Sequence, residues 1–313
     1  MAGSYHKKRH FKGVEKIFQY WSAFCALLVI LVMAGILFEL GRDSQPSISR
    51  FGLKFLVSTS WNPVPGEFGA LTSIYGTLVS TGIAMLIAVP LSLVIALFLV
   101  ELAPPALARP VGYAIELLAG IPSIIYGMWG LFVFAPFISE YLQPGLNKTL
   151  GFLPLFKGPP MGIGMLTAGI ILSLMVLPFT SAVMRDVFQM VPAVVKESAF
   201  GMGATTWEVT RKVTIRYGLQ GLLGASFLGL GRAIGETMAV TFVIGNDHRI
   251  SASLFAAGNS IASTLANEFT EASDKLYLSS LIELGLVLFL ITLIIQALAQ
   301  LWLKRIEKGA GRR

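Results

Sequence analysis

The sequence predicts an all-α integral membrane protein of about six transmembrane helices, and three observations carry that prediction. Charged residues make up 13% of the 313 positions while apolar residues make up 55%; soluble domains carry about 25% charged residues, so lipid is the main solvent. Charge-free runs long enough to cross a hydrocarbon core of roughly 30 Å, which takes about 20 helical residues, recur along the chain. Lys and Arg gather between alternate runs, as the positive-inside rule requires of a multi-pass protein.

The runs cover 17–38, 68–100, 117–139, 158–184 and 284–303, and a sixth, 217–246, is interrupted only by Arg232 and Glu236. Their unequal lengths imply tilt or interfacial turns. The first follows Lys7, Lys8 and Arg9 but is too long for a signal-peptide core and is followed by no small-x-small cleavage pattern, so it is expected to persist as a helix. With the N-terminus inside, the inner segments hold sixteen Lys and Arg and the outer ones seven, which puts both termini in the cytoplasm. The organisation that results is an inner tail over 1–16, a first transmembrane helix over 17–40, an outer loop over 41–67, a membrane core over 68–303 with a long inner loop at about 185–217, and a second inner tail over 304–313.

Composition also excludes function classes. The net charge of +7 sits in clusters that flank apolar runs, not in a basic groove interleaved with aromatics, so nucleic acid is not the partner. Cys25, the only cysteine, lies inside the first run and forms no internal disulfide or metal cluster. His6 and His10 have the i, i+4 spacing of a metal pair but lack a third ligand, and His248 lies in a polar connection. No cofactor and no metal is expected. Enzyme chemistry finds no nucleophile and base at workable spacing, and the absence of an internal repeat gives the inverted-repeat transporters no support.

Two outer connections read differently. Pro46, Pro63 and Pro65 mark 41–67 as an exposed loop. The mildly apolar stretch 254–269, studded with Ser, Thr and Asn, reads as an amphipathic cap in preference to a re-entrant helix.

Three constellations carry chemistry. In the inner loop, Pro192 opens a helix, Gly201 and Gly203 end it in a tight turn, and Thr205 with Glu208 forms a capping box for a second short helix. The product is a compact knob, suited to a membrane subunit that receives force from a partner, or to a helix pair lying on headgroups. In the fifth run counted along the chain, Arg232 and Glu236 stand at i, i+4 among Gly229, Gly231 and Gly235. Each charge costs about 2.5 to 3.5 kcal/mol at a helix centre, so the pair reads as the lining of a polar path, with Arg232 offering a planar guanidinium to an oxyanion; a structural ion pair is the alternative. Thr237 follows directly. In the third run, Pro122 removes a helix hydrogen bond and bends the helix, leaving a carbonyl for Ser123 or water to satisfy, at a gate or a packing kink. Glu116 and Glu283 read as interfacial.

The knob sequence resembles the EAA loop of ABC importer permeases, in which Glu-Ala-Ala is followed after three residues by Gly and after nine more by Ile-x-Leu-Pro. Glu197, Ala199 and Gly203 match, Val213 and Ile215 are conservative equivalents, and Ser198 and Arg216 depart from the family's alanine and proline. The stretches Gly-Ile-Pro-Ser-Ile-Ile-Tyr-Gly-Met-Trp-Gly and Gly-Arg-Ala-Ile-Gly-Glu-Thr-Met, with Met-Arg-Asp-Val-Phe at 184–188, look like the PstC family of phosphate-transport permeases. The resemblance runs from about Ser58 to Trp302. It implies a type I ABC importer permease (MetI-like) fold in a bacterial inner membrane, with Glu197, Ala199 and Gly203 docking on an ATPase subunit. It also implies a PstA-like permease as heterodimer partner, a PstB-like ATPase dimer, and a PstS-like periplasmic phosphate-binding protein. The lack of a Gly-x-x-x-x-Gly-Lys-[Ser/Thr] loop agrees, since ATP must then be hydrolysed by another chain. Two rival readings stay open at this stage: an ABC permease for another oxyanion such as sulfate or molybdate, and a secondary transporter in which Glu236 carries a proton.

Overall fold

The computed structural model describes residues 3–310, and side chains over 15–305. The His6 and His10 pair, Lys7 to Lys12 and the last three basic residues lie outside the described side chains.

Five helices are long and apolar enough to cross a membrane. The first, α1 (Gly3–Asp43), contains the predicted 17–38 run and extends it at both ends. Two short helices follow in the outer loop, α2 (Gln45–Phe51) and α3 (Lys54–Val57). The second crossing is α4 (Leu71–Leu97), prolonged by a wide π-type turn over Phe98–Leu102. Here the chain departs from expectation, because the run at 117–139 is two elements. Helix α5 (Pro105–Ala119) ends at Gly120, and the third crossing begins only after Pro122, as α6 (Ser123–Trp129), α7 (Ala135–Phe137) and α8 (Gln143–Leu150), joined by π-type turns.

The fourth crossing is α9 (Met165–Gln189), later than the predicted 158–184. Residues 158–164 are not helical because Gly158, Gly162 and Gly164 take positive φ, and a Cβ on Gly162 would lie 2.3 Å from the Ala135 carbonyl oxygen. The knob comprises α10 (Ala193–Gly201) and α11 (Thr206–Val209), which runs through a π-type turn into α12 (Ile215–Ile234). The predicted 217–246 span is therefore broken: α12 stops at Gly235, and α13 (Met238–Thr241) is a single turn before Asn246 reverses the chain at φ 53°. Helix α14 (Ile261–Glu268) and the last crossing, α15 (Lys275–Ala310), complete the chain.

Small side chains explain the packing at the centre. Along α4, Thr72, Ser73, Gly76, Thr77, Ser80, Ala84 and Ala88 are buried at helical spacing, a stripe that lets neighbours approach closely. α9 packs against α4 and is the most buried crossing, with Ile171, Leu172, Met175 and Val176 meeting Ala84, Ala88, Ala239 and Val243 in one core. The same stripe receives α14: Ser73 and Thr264 hydroxyls lie 3.1 Å apart, and the Ile261 N–H donates to Thr77 Oγ1 at 2.9 Å. The 254–269 stretch is thus not a surface cap. Its helix starts at Ile261, capped by Ser260, and its first turn is buried with its polar groups paired: Ser263 Oγ donates to Asn259 Oδ1 at 2.7 Å, Thr264 Oγ1 to the Ser260 carbonyl at 2.9 Å, and α4 adds Ser73 and Thr77. α1 is the opposite case, exposed along its apolar run, with the Asp43 carbonyl at its end accepting from the Ser279 hydroxyl of α15.

Candidate functional site

The knob forms as its local signals dictate. Pro192 occupies the N-cap position of α10 with φ −59°, and α10 ends at Gly201. Gly203 turns the chain at φ 86° with open space around its Cα, so the requirement for glycine there is conformational and not steric. The Thr205 N–H donates to Glu208 Oε2 at 3.1 Å and the Glu208 N–H to Thr205 Oγ1 at 3.4 Å, the reciprocal capping box. Those hydrogen bonds, with Lys212 beside them, hold the Glu208 carboxyl below the usual carboxylate range.

Of the three residues matched to the docking motif, Glu197 is exposed, Ala199 is buried inside the knob with its carbonyl accepting the Ala204 N–H at 3.1 Å, and Gly203 is exposed at the tip. Around them Val194, Phe200, Met202 and Trp207 stand out of the surface, Met202 by 84%. Apolar exposure of this kind, rimmed by Glu197, Arg211 and Lys212, is the character of a surface that contacts a protein or a membrane.

One residue without a local signal anchors the knob. Glu101, at the end of the π-type turn that prolongs α4, accepts from Lys196 Nζ at 2.6 Å and from Thr214 Oγ1 at 3.0 Å. One carboxylate thus ties α10 and the start of α12 to the end of a transmembrane helix, with 10% of its side chain exposed. Arg185 makes a second tie, from α9 to Glu116 on α5, which places Glu116 in an ion pair between helices and not at a bare interface.

The second constellation is altered by the helix break. Arg232 and Glu236 do not share a helix face: Arg232 is in the last turn of α12, while Glu236 lies beyond the Gly235 stop and its Oε1 accepts the Ala239 N–H at 3.2 Å. No ion pair joins them among the described residues. The reason is that Gly235 ends the helix before the fourth residue is reached, and Glu236 then serves the exposed N–H groups of α13. Arg232 is exposed, its guanidinium 5.6 Å from the Phe179 ring centre, an arrangement that holds a cation without neutralising it. Thr237 lines an apolar groove with Leu40, Phe269 and Leu288. The glycines near the break admit side chains and not backbone: a Cβ on Gly229 would meet Thr180 and one on Gly231 would meet Gln296.

Pro122 is not a bend inside a helix. It caps α6 at φ −57°, ψ 137°, and separates α6 from α5. The carbonyl four residues earlier, on Leu118, is satisfied by the Tyr126 hydroxyl at 3.0 Å, the task that Ser123 or water was expected to perform; Ser123 is simply the first residue of α6. The two long motifs meet at Gly127, where a Cβ would lie 2.8 Å from Phe242 and 2.9 Å from the Met238 carbonyl oxygen. The third crossing therefore packs directly on the broken segment.

These features define a helical membrane component with a protruding, apolar-tipped knob and an interrupted helix beside a cation that no carboxylate pairs among the described residues. The chain matches the family described as binding-protein-dependent transport system inner membrane component over residues 88–308. It is 54% identical to the phosphate transport system permease protein PstC of Mesorhizobium japonicum, over 97% of this chain and 94% of that one. It is 53% identical to the protein of the same description from Pasteurella multocida, over 96% and 95%. The chain belongs to the PstC family of inner-membrane transport components. Its fold is that of ABC importer permeases: a chain of a bacterial alginate ABC transporter superposes with a TM-score of 0.62 at 18% identity over 93% of this chain and 97% of its own. One from the MetNI methionine ABC transporter, in inward-facing conformations, gives 0.56 at 18% over 76% and 95%.

Proposed function

We propose that this protein is the transmembrane permease subunit of an ATP-driven inorganic phosphate importer and forms half of the translocation path. The observation that carries the reading is the 54% identity, across nearly the whole of both chains, to a permease described as a phosphate transporter component. The exposed knob with its apolar tip supports a mechanism in which ATP is hydrolysed on a partner chain and force enters here. In this reading Glu197, Ala199 and Gly203 engage a PstB-like ATPase, one of a pair, and the anchor at Glu101 passes the movement to α4. A PstA-like permease completes the path, and a PstS-like binding protein delivers phosphate from outside.

Within the membrane, Arg232 receives the anion, Glu236 and Thr237 shape the turn that admits it, and the break at Pro122 and Ser123 lets α6 move with α13. Both termini are cytoplasmic. The test is uptake of labelled phosphate into proteoliposomes holding the complete complex with binding protein. Uptake that requires ATP and is unaffected by excess sulfate is the expected result; uptake driven by a proton gradient alone, or competed by sulfate, overturns it.

A further inference from the structure

A cleft between α1 and α15 has the two-part chemistry of a lipid. At its outer end is an open cavity of about 660 Å³ lined by Arg42, Asp43, Ser49, Lys275 and Ser279. Asp43 and Ile282 also line a second cavity of about 460 Å³, whose walls are otherwise Val32, Gly35, Ile36, Glu39, Leu40 and Phe269. Leu40, Phe269 and Ile282 continue in turn into the groove that ends at Gly235 and Thr237. The three spaces share lining residues and so lie next to one another, polar at one end and apolar for the rest.

The polar end lies at the right depth for a headgroup. Arg42 and Asp43 follow directly on the charge-free run of α1, and Lys275 opens the last crossing, so these charges sit at the edge of the hydrocarbon while Val32, Gly35 and Ile36 sit within it. Both signs are present: Arg42 and Lys275 suit a phosphodiester, and Asp43 with Glu39 suits a cationic group beside it. Arg42 is only loosely committed, 3.5 Å from Glu39 and 3.9 Å from Asp43. The Asp43 backbone, by contrast, is fixed by the Ser279 hydroxyl at 2.9 Å, which holds the lip of the cavity to α15.

We infer that this cleft is a binding site for one phosphatidylethanolamine molecule, its phosphate held by Arg42 and Lys275, its primary ammonium by Asp43, and an acyl chain lying along Ile36, Leu40 and Phe269 toward Thr237. A quaternary headgroup cannot donate hydrogen bonds to Asp43, and a headgroup without a cation leaves Asp43 and Glu39 unmatched. The site therefore selects the primary amine. Its apolar end reaches Gly235 and Thr237, so the bound chain lies against the helix break.

The test uses the intact complex in nanodiscs of mixed phosphatidylethanolamine and phosphatidylcholine, followed by mass spectrometry of the lipids retained after transfer to mild detergent. Retention of phosphatidylethanolamine over phosphatidylcholine is expected. Replacing Arg42 and Lys275 together by glutamine should lower it about tenfold, the equivalent of one charge-assisted contact. Asp43→Asn, which keeps the backbone hydrogen bond and the fold, should abolish the preference for the primary amine. A photoreactive residue at Ile36 should be captured by lipid. Equal retention of both lipids by the unaltered complex, or capture of the Ile36 probe by another polypeptide, overturns the proposal.

Discussion

Arg232 occupies the end of α12, where the carbonyls of the last turn favour a cation, and Phe179 is the side chain under its guanidinium. With no carboxylate committed to it among the described residues, the charge is available to a passing anion. Arg232→Gln is expected to lower phosphate uptake at least tenfold while the complex still assembles, and Arg232→Lys to restore only part of it, because the planar fork is lost. Uptake with unchanged kinetics in Arg232→Gln removes the residue from the path. Elsewhere, Glu268 accepts from the Trp61 indole N–H and the Tyr277 hydroxyl, both at 2.6 Å, and pairs with the His248 ring at 2.9 Å. Burial works to raise its pKa, but the His248, Tyr277 and Trp61 hydrogen bonds outweigh burial and hold it below the ordinary 4.5. A depressed carboxyl stabilises the folded form above its unfolded pKa, and the contribution is lost as pH falls through the folded value. Hydrogen exchange over 246–270 should therefore accelerate on acidification to below the ordinary carboxylate range, after correction for intrinsic rates, and Glu268→Gln should exchange fast at neutral pH as well.

At the scale of elements, the knob is tied to the end of α4 through Glu101, and the third crossing packs on the broken segment at Gly127. Glu101→Gln leaves Lys196 an acceptor but no counter-charge, at a cost of about 1–2 kcal/mol as the ion pair becomes a hydrogen bond to a neutral amide, and loosens α10 from the end of α4. The expected phenotype is ATP hydrolysis that continues while uptake falls, measured together on the reconstituted complex; uptake and hydrolysis falling in proportion would show that Glu101 serves assembly and not coupling. α6 and α13 meet through the absence of a side chain at Gly127. Gly127→Leu must push Phe242 and the Met238 carbonyl aside, overpacking that costs about 1–3 kcal/mol, so thermal stability should fall, whereas Gly203→Ala meets no neighbour and should cost about 1 kcal/mol from backbone conformation alone.

For the whole molecule, topology is the prediction with the widest reach. In a Cys25→Ala background, cysteine placed at Met202 should react with an impermeant maleimide only from the cytoplasmic side, and cysteine at Val64 only from the outside. Both positions are highly exposed, 84% and 95%, so failure to label cannot be ascribed to burial; the reverse pattern would invert the orientation and every role assigned to the knob. What the sequence by itself determined follows from rules that act over a few residues. Apolar length marks the crossings, and Pro192, Gly203, Thr205 and Glu208 specify the knob because a cap, a left-handed turn and a capping box are each complete within four positions. The tertiary structure alone decided where helices stop and what they touch. Gly235 reads as one more glycine in a span until α12 ends there, Glu236 as Arg232's helical partner until it caps α13, and Glu101 as a residue at the end of a span until Lys196 arrives from 95 positions away. The physical reason is separation along the chain: a contact between distant residues leaves no periodicity in either segment, and the break at Gly235 costs too little locally to be visible before α6, α9 and α15 close around it.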